Sequence, residues 1–244
     1  MFNLILFLIV MPVLVSQTVS SQSIESNGGQ IKVIAIDDSY TDSYYYLHTY
    51  GTSDTIHLRK DTVTTNVGWL KFDISGVPNN ATGISATLRL SFRRSMYMVT
   101  LEPEFIDDAP RVDTHYCSTN NWEEESITYN NQPSYSTTVL ASKRVYRLDI
   151  NDDHWFTWDV TGAVTQSFDN NKDLVSIVVE IHPNSVMYSR LWFDSKENLW
   201  DSPELIVAWS GEIPEFRSFL ILPLFMMATL LAVIVYRRKD SMKH

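Results

Sequence analysis

The chain has 244 residues, with 29 acidic and 19 basic side chains, a formal charge of −10 and a pI of about 5.0. That balance excludes nucleic acid and anionic membrane surfaces as partners held by charge. One cysteine, Cys117, excludes an intrachain disulfide, so stability must come from a packed core, with a structural calcium ion as the one cofactor worth testing.

Leu4 to Val15 is a short apolar run followed by small polar residues, the pattern of a secretory signal peptide over residues 1–21. Residues 22–36 read as a flexible leader, and the domain is expected over residues 37–210. Between Gln22 and Glu212, 27 acidic residues stand against 14 basic ones, a charge of −13 on a length that suits one domain.

Asp37, Asp38 and Asp42 fall near the expected first strand. First and last strands often lie together in a jelly roll, so Asp38 would share a cation with Glu197. Tyr44, Tyr45 and Tyr46 follow in a turn. A flat phenol or indole ring stacks on the apolar face of a pyranose while polar side chains bond its hydroxyls. These three tyrosines, with Trp155 and Trp200 in turn or polar contexts, are therefore the candidate sugar-binding residues. Trp69, Phe72, Trp158, Trp192 and Phe193 sit in strand patterns and are assigned to packing.

Gly68 to Ile74 alternates between two faces. The turn after it carries a glycosylation sequon at Asn80, and Ile84 to Arg93 then places Ile84, Ala86, Leu88, Leu90 and Phe92 on one side. Cys117 reads as a small packed or exposed thiol and not a nucleophile, since His115 two residues away shares its face without implying contact. Glu123, Glu124 and Glu125 are adjacent and would point to opposite faces of a strand, a poor pair for glycoside hydrolysis.

Val139 to Asp149, Trp155 to Val160, Leu174 to Ile181, Leu191 to Asp194 and Glu204 to Trp209 supply further strands, and no amphipathic helix is expected among them. Asp169 to Asp173 with Glu180 approaches the spacing of an EF-hand loop, but Leu174 stands where that loop needs glycine. Asp149 to Asp153 reads as a hairpin turn. The six histidines form no zinc pattern, and no nucleophile motif is present. The expected fold is all-β, a jelly-roll β-sandwich of two antiparallel sheets, with a C-terminal transmembrane helix.

Residues 211–218 form a short stalk containing Pro214, Glu215 and Phe216. Phe219 to Tyr236 carries no charge and would span about 27 Å as a helix at about 1.5 Å per residue, enough for a bilayer core. The basic tail of residues 237–244 would stay in the cytoplasm and leave the domain outside.

Four ordered blocks share a resemblance. They are Trp69 to Ser75 with Ile84 to Leu90, Trp122 to Pro133, Trp158 to Val164, and Phe193 to Glu197 before Pro203-Glu204-Leu205. Together they resemble the disaggregatase-related (DNRLRE) family of surface domains, grouped with a carbohydrate-binding module family that includes alginate binders. The resemblance covers about Asp37 to Trp209 and implies a jelly roll that binds polysaccharide and holds no catalytic centre. Tyr129 stands where tryptophan is usual, and Lys196 where arginine normally precedes Glu197. The tail resembles the archaeal PEF-CTERM sorting motif, at Pro214, Glu215 and Phe216, which implies an archaeal source and an archaeosortase as partner. The expected function is non-catalytic binding of extracellular or matrix polysaccharide at the cell surface. A structural envelope component acting by protein–protein contact and a polysaccharide-degrading enzyme are the alternatives.

Overall fold

Alternating side chains become a two-faced sheet in β4 (Thr65–Asp73), the strand around which the other elements gather. Leu70 and Phe72 point into the main core, while Val67 and Trp69 enter a second, smaller cluster on the opposite side. The computed structural model describes residues 28–95, 109–146, 154–185, 189–198 and 200–211. The expected signal peptide, the Asp149–Asp153 turn, the Pro214–Phe216 motif and the transmembrane helix lie outside them. Among the described residues, no helix is long and apolar enough to cross a membrane.

The remaining elements are β1 (Gly29–Ile34), β2 (Asp37–Asp42), β3 (Thr55–Lys60), β5 (Ala81–Ser95), β6 (Arg111–Cys117), β7 (Val139–Arg144), β8 (Trp155–Asp159), α1 (Thr161–Asp169), β9 (Leu174–Ile181), β10 (Ser189–Asp194) and β11 (Glu204–Gly211). Every pairing is antiparallel, so the all-β expectation holds. One layer is β1-β11-β5-β8 and the other is β2-β4-β9-β6-β7. The layers are not two separate sheets. β5 pairs with β11 along its first half and with β10 from Phe92 onward, and β10 and β3 carry the hydrogen bonding on to β4.

Leu88, Leu90, Trp158, Phe72, Ile177 and Phe193 fill the space between the layers and are all but fully buried. Burial of such apolar surface, at about 25 cal/mol per Å², drives the closure. Gly68 is required in β4 because a Cβ there would stand 2.6 Å from Val179 Cγ2 and 2.8 Å from Ile56 Cγ2. Trp192, expected in the core, is only half-buried and stacks on His57 at 4.5 Å.

Three elements differ from the expected pattern. β1 falls inside the stretch read as a flexible leader; it pairs with β11 along its whole length, and Ile31 and Val33 pack against the core. The helix α1 was not expected, because it buries only Ala163, Val164 and Ser167, too few residues to establish a 3.6-residue period. β7 stops at Arg144.

The second cluster explains why β4 is apolar on both faces. A strap over residues 118–137 crosses the outer face of β4, β9 and β6, and Trp122 and Ile127 from it close over Trp69, Cys117 and Val178. Trp122 Nε1 donates to Ser176 Oγ at 2.9 Å. The ends of the sandwich follow from register. β2 and β3 both meet β4 at Asn66, whereas β4 ends at Asp73 and β5 begins at Ala81 opposite Gly211. The two ends lie about 23 Å apart, taking about 3.3 Å per residue along β4 from Asn66 to Asp73.

Candidate functional site

The end of the sandwich at Asn66, called the tip below, is built by two carboxylates that organise turns. Asp42 Oδ1 accepts the backbone N–H groups of Tyr44 (2.8 Å) and Tyr45 (3.1 Å), an Asx turn that fixes the chain as it leaves β2. Asp61 Oδ1 accepts those of Val63 (2.9 Å) and Thr64 (2.7 Å) in the β3–β4 turn. Between the two turns lies a groove of about 390 Å³, lined by Tyr44, Tyr45, Arg59, Asp61, Val63 and Arg190 among others.

The rings of Tyr44 and Tyr45 meet edge to face at 4.8 Å, Tyr45 stacks on His48 at 5.3 Å, and the two tyrosines remain 59% and 52% exposed, which leaves part of each ring accessible to a ligand. Arg59 Nε donates to Asp61 Oδ2 at 2.6 Å, and Arg190 Nη2 stands 3.9 Å from the same oxygen. Burial opposes charge on Asp61, but the two backbone N–H groups and Arg59 outweigh it and hold the carboxyl below its ordinary range. The lining thus brings two guanidiniums to one ionised carboxylate, in a chain of charge −10. Arg59 and Arg190 come from distant parts of the sequence and are brought side by side by the register of β3 and β10.

The five aromatic candidates do not share one place. Tyr44 and Tyr45 line the groove. Tyr46 is 52% exposed beside it, and its carbonyl accepts the Asn130 N–H from the strap at 3.1 Å. Trp155 lies in β8, half-buried, with Arg89 Cζ 4.7 Å from its ring. Trp200 is 90% exposed, and the His154–Asp201 contact at 3.5 Å brings its segment beside that of Trp155, on the other layer. Asn80 is exposed in the turn before β5. Asp169 ends α1 while Glu180 sits near the end of β9, so the EF-hand-like spacing closes no loop.

Asp38 and Glu197 do meet, together with Glu124, but the cluster already contains a cation of its own. Lys196 Nζ lies 3.0 Å from both Glu124 Oε1 and Glu197 Oε1, and the Lys196 N–H donates to Asp38 Oδ2 at 2.7 Å. Those hydrogen bonds and charges raise the Lys196 ammonium well above its usual range despite the burial that opposes them. Among the described residues, no three His, Cys, Asp or Glu side chains are arranged to hold a metal ion. The carboxylates present suit an ammonium, and the fit to calcium is poor while Lys196 stands between them.

Burial lifts the Asp38 carboxyl from 3.8 to about 8. For His115, burial would lower the imidazole, but Glu180 beside it raises it above 6.5. Both groups hold protons in the folded chain that the unfolded chain releases, so both lose stability as pH rises toward and through their folded values. Glu180 runs the other way: His115 and Tyr135 outweigh burial and keep its pKa below 4.5, a contribution lost in acid. The Asp38 contribution is lost from its unfolded value upward, so stability should be greatest near pH 4 and fall by about 1.4 kcal/mol per pH unit from there toward pH 8. Urea unfolding measured from pH 4 to 9 checks this; a midpoint flat or rising toward pH 8 would contradict it.

No curated protein matches the chain. Residues 29–208 match one family, described as carbohydrate-binding module family 96.

Proposed function

The chain belongs to carbohydrate-binding module family 96, and on that premise we propose that it holds an extracellular or matrix polysaccharide at the cell surface, in the tip groove and without cleaving it. The observation that supports this most is the union of two exposed tyrosine rings with an excess of guanidinium charge. The rings cover the C–H face of a pyranose, and a guanidinium offers paired N–H donors to a carboxylate or sulfate. An acidic domain repels an anionic chain over much of its surface and receives it where Arg59 and Arg190 stand, which sets the orientation of capture. Uronate-bearing polysaccharide is the ligand class this favours.

The groove gives little support to catalysis. Its one carboxylate, Asp61, is spent on Arg59 and two backbone N–H groups, which leaves no free acid–base pair. The finer resemblance to DNRLRE domains supports the same reading. Surface placement rests on the apolar run of residues 219–236 and on the resemblance of Pro214, Glu215 and Phe216 to an archaeosortase motif. Gly211 leaves the sandwich at the end opposite the groove, so a chain tethered through its C-terminus would present the groove away from the membrane. Mass spectrometry of the mature C-terminus distinguishes a retained helix from cleavage near Phe216.

Affinity electrophoresis through gels containing an oligouronate, a neutral glucan or an amino polysaccharide tests the function. Retardation by the oligouronate gel is expected, with Tyr45→Ala and Arg190→Ala each weakening it about tenfold, the loss of one stacking ring or one charged hydrogen bond. Retention by the oligouronate that neither substitution alters would move the site elsewhere. No retention on any of the gels would remove the function.

A further inference from the structure

A second concavity lies away from the groove, on the outer face of β6 and β9 under the strap, with a volume of about 710 Å³. Its chemistry is the reverse of the groove's. Asp113 on β6 and Glu180 on β9 face each other in register, and His115, His182, Tyr129 and Tyr135 are among the other polar residues that line the cleft. No lysine or arginine lines it among the described residues.

Glu180 is fully engaged. Its Oε2 accepts the Tyr135 hydroxyl at 3.0 Å, and its Oε1 stands 3.2 Å from His115 Nε2. Asp113 is not. It is 1% exposed, its Oδ1 has no hydrogen-bond partner among the described residues, and its Oδ2 is 3.9 Å from His182 Nε2, beyond hydrogen-bond range. A buried carboxylate oxygen without a donor is costly, and a ligand that supplies the donor recovers that cost.

We propose that this cleft binds the free amino group of an amino sugar, with the ammonium donating to Asp113 Oδ1 and the pyranose resting against Tyr129. A neutral hydroxyl would satisfy the geometry but leave two carboxylates, Asp113 and Glu180, against the single His115 imidazolium, whereas an ammonium also offsets the remaining negative charge. A uronate would meet Asp113 and Glu180 as like charges. A metal ion would need three ligating side chains, and no such group occurs among the described residues. The proposal rests on the family reading only for its premise that the ligand is a sugar, and it is independent of the tip groove.

Calorimetric titration of the protein at pH 6 with a glucosamine tetramer and with its fully N-acetylated counterpart is the test. Acetylation removes the cation and leaves the ring in place. The free amine is expected to bind at least about tenfold more tightly, as one charge-assisted hydrogen bond allows. Asp113→Asn should reduce its affinity to that of the acetylated tetramer. If Asp113→Asn fails to fold, the comparison of the two tetramers on the unaltered protein decides alone. Equal affinities, or binding of neither, overturn the proposal. Oligouronate binding by the same preparation then shows that the carbohydrate-binding reading survives, and its absence shows that both have failed.

Discussion

Trp122→Ala is expected to lower the free energy of unfolding by about 3–5 kcal/mol, the usual cost of emptying a site built around a large aromatic ring. The indole is 5% exposed, meets Trp69 edge-on at 5.9 Å, lies 4.4 Å from the Lys71 ammonium and donates to Ser176 Oγ. Its removal leaves a cavity, a serine oxygen that loses one donor while its hydroxyl still donates to Asn120 Oδ1, and a cation without its aromatic face. Lys71 itself is held by the Trp122 carbonyl and by Asp37 Oδ2 at 2.6 Å, so the defect reaches β2 as well. Because the strap that Trp122 pins also forms one wall of the β6–β9 cleft, the amino-sugar titration should lose its heat while the tip groove keeps its oligouronate. Urea denaturation gives the first quantity and calorimetry the second. A loss under about 1 kcal/mol would mean that the strap holds to the sheet without its tryptophan.

Lys196→Met should cost about 2–4 kcal/mol for a different reason. Removing one member of a partly buried ion cluster leaves the others uncompensated, here Glu124 and Glu197 at 17% and 26% side-chain exposure beside the buried Asp38. Methionine keeps most of the stem's apolar contacts, so the loss reports charge and not packing. The same variant tests the relation of lysine to calcium. With the ammonium gone, Glu124 and Glu197 stand beside a protonated Asp38 and no three side chains are arranged to hold a metal ion among the described residues, so millimolar calcium should leave the melting temperature of both proteins in place. Equal stabilisation of both proteins would show that calcium binds elsewhere, and a cost near zero would show that the ion cluster contributes nothing net.

The fold was legible wherever one period governed a segment. Ile84 to Phe92 alternates cleanly, and β5 buries Ala86, Leu88, Leu90 and Phe92 as that alternation requires. Trp158, Trp69, Phe72 and Phe193 are core residues as their strand patterns indicate. Where the pattern was too short or too polar, it was silent. α1 buries three residues, and β1 carries few apolar side chains, so neither stood out from its surroundings. The candidate sites were legible in part. Exposed tyrosines in a turn could be anticipated from composition, as Tyr44 and Tyr45 were. The cations beside them could not, because Arg59 and Arg190 lie on strands far apart in the chain and meet only through strand register.

The β class and the apolar faces could be read from residue order alone, because side-chain alternation is a local property of each strand. The four ordered blocks also carried the likeness to a carbohydrate-binding family, since each block is contiguous. Only the tertiary structure decided which charges meet. It set Lys196 among Glu124, Glu197 and Asp38, two arginines against one aspartate at the tip, and Asp113 opposite Glu180 under the strap. Electrostatic energy depends on separation and on burial, and for residues brought together across a sheet neither quantity exists until the strands have paired.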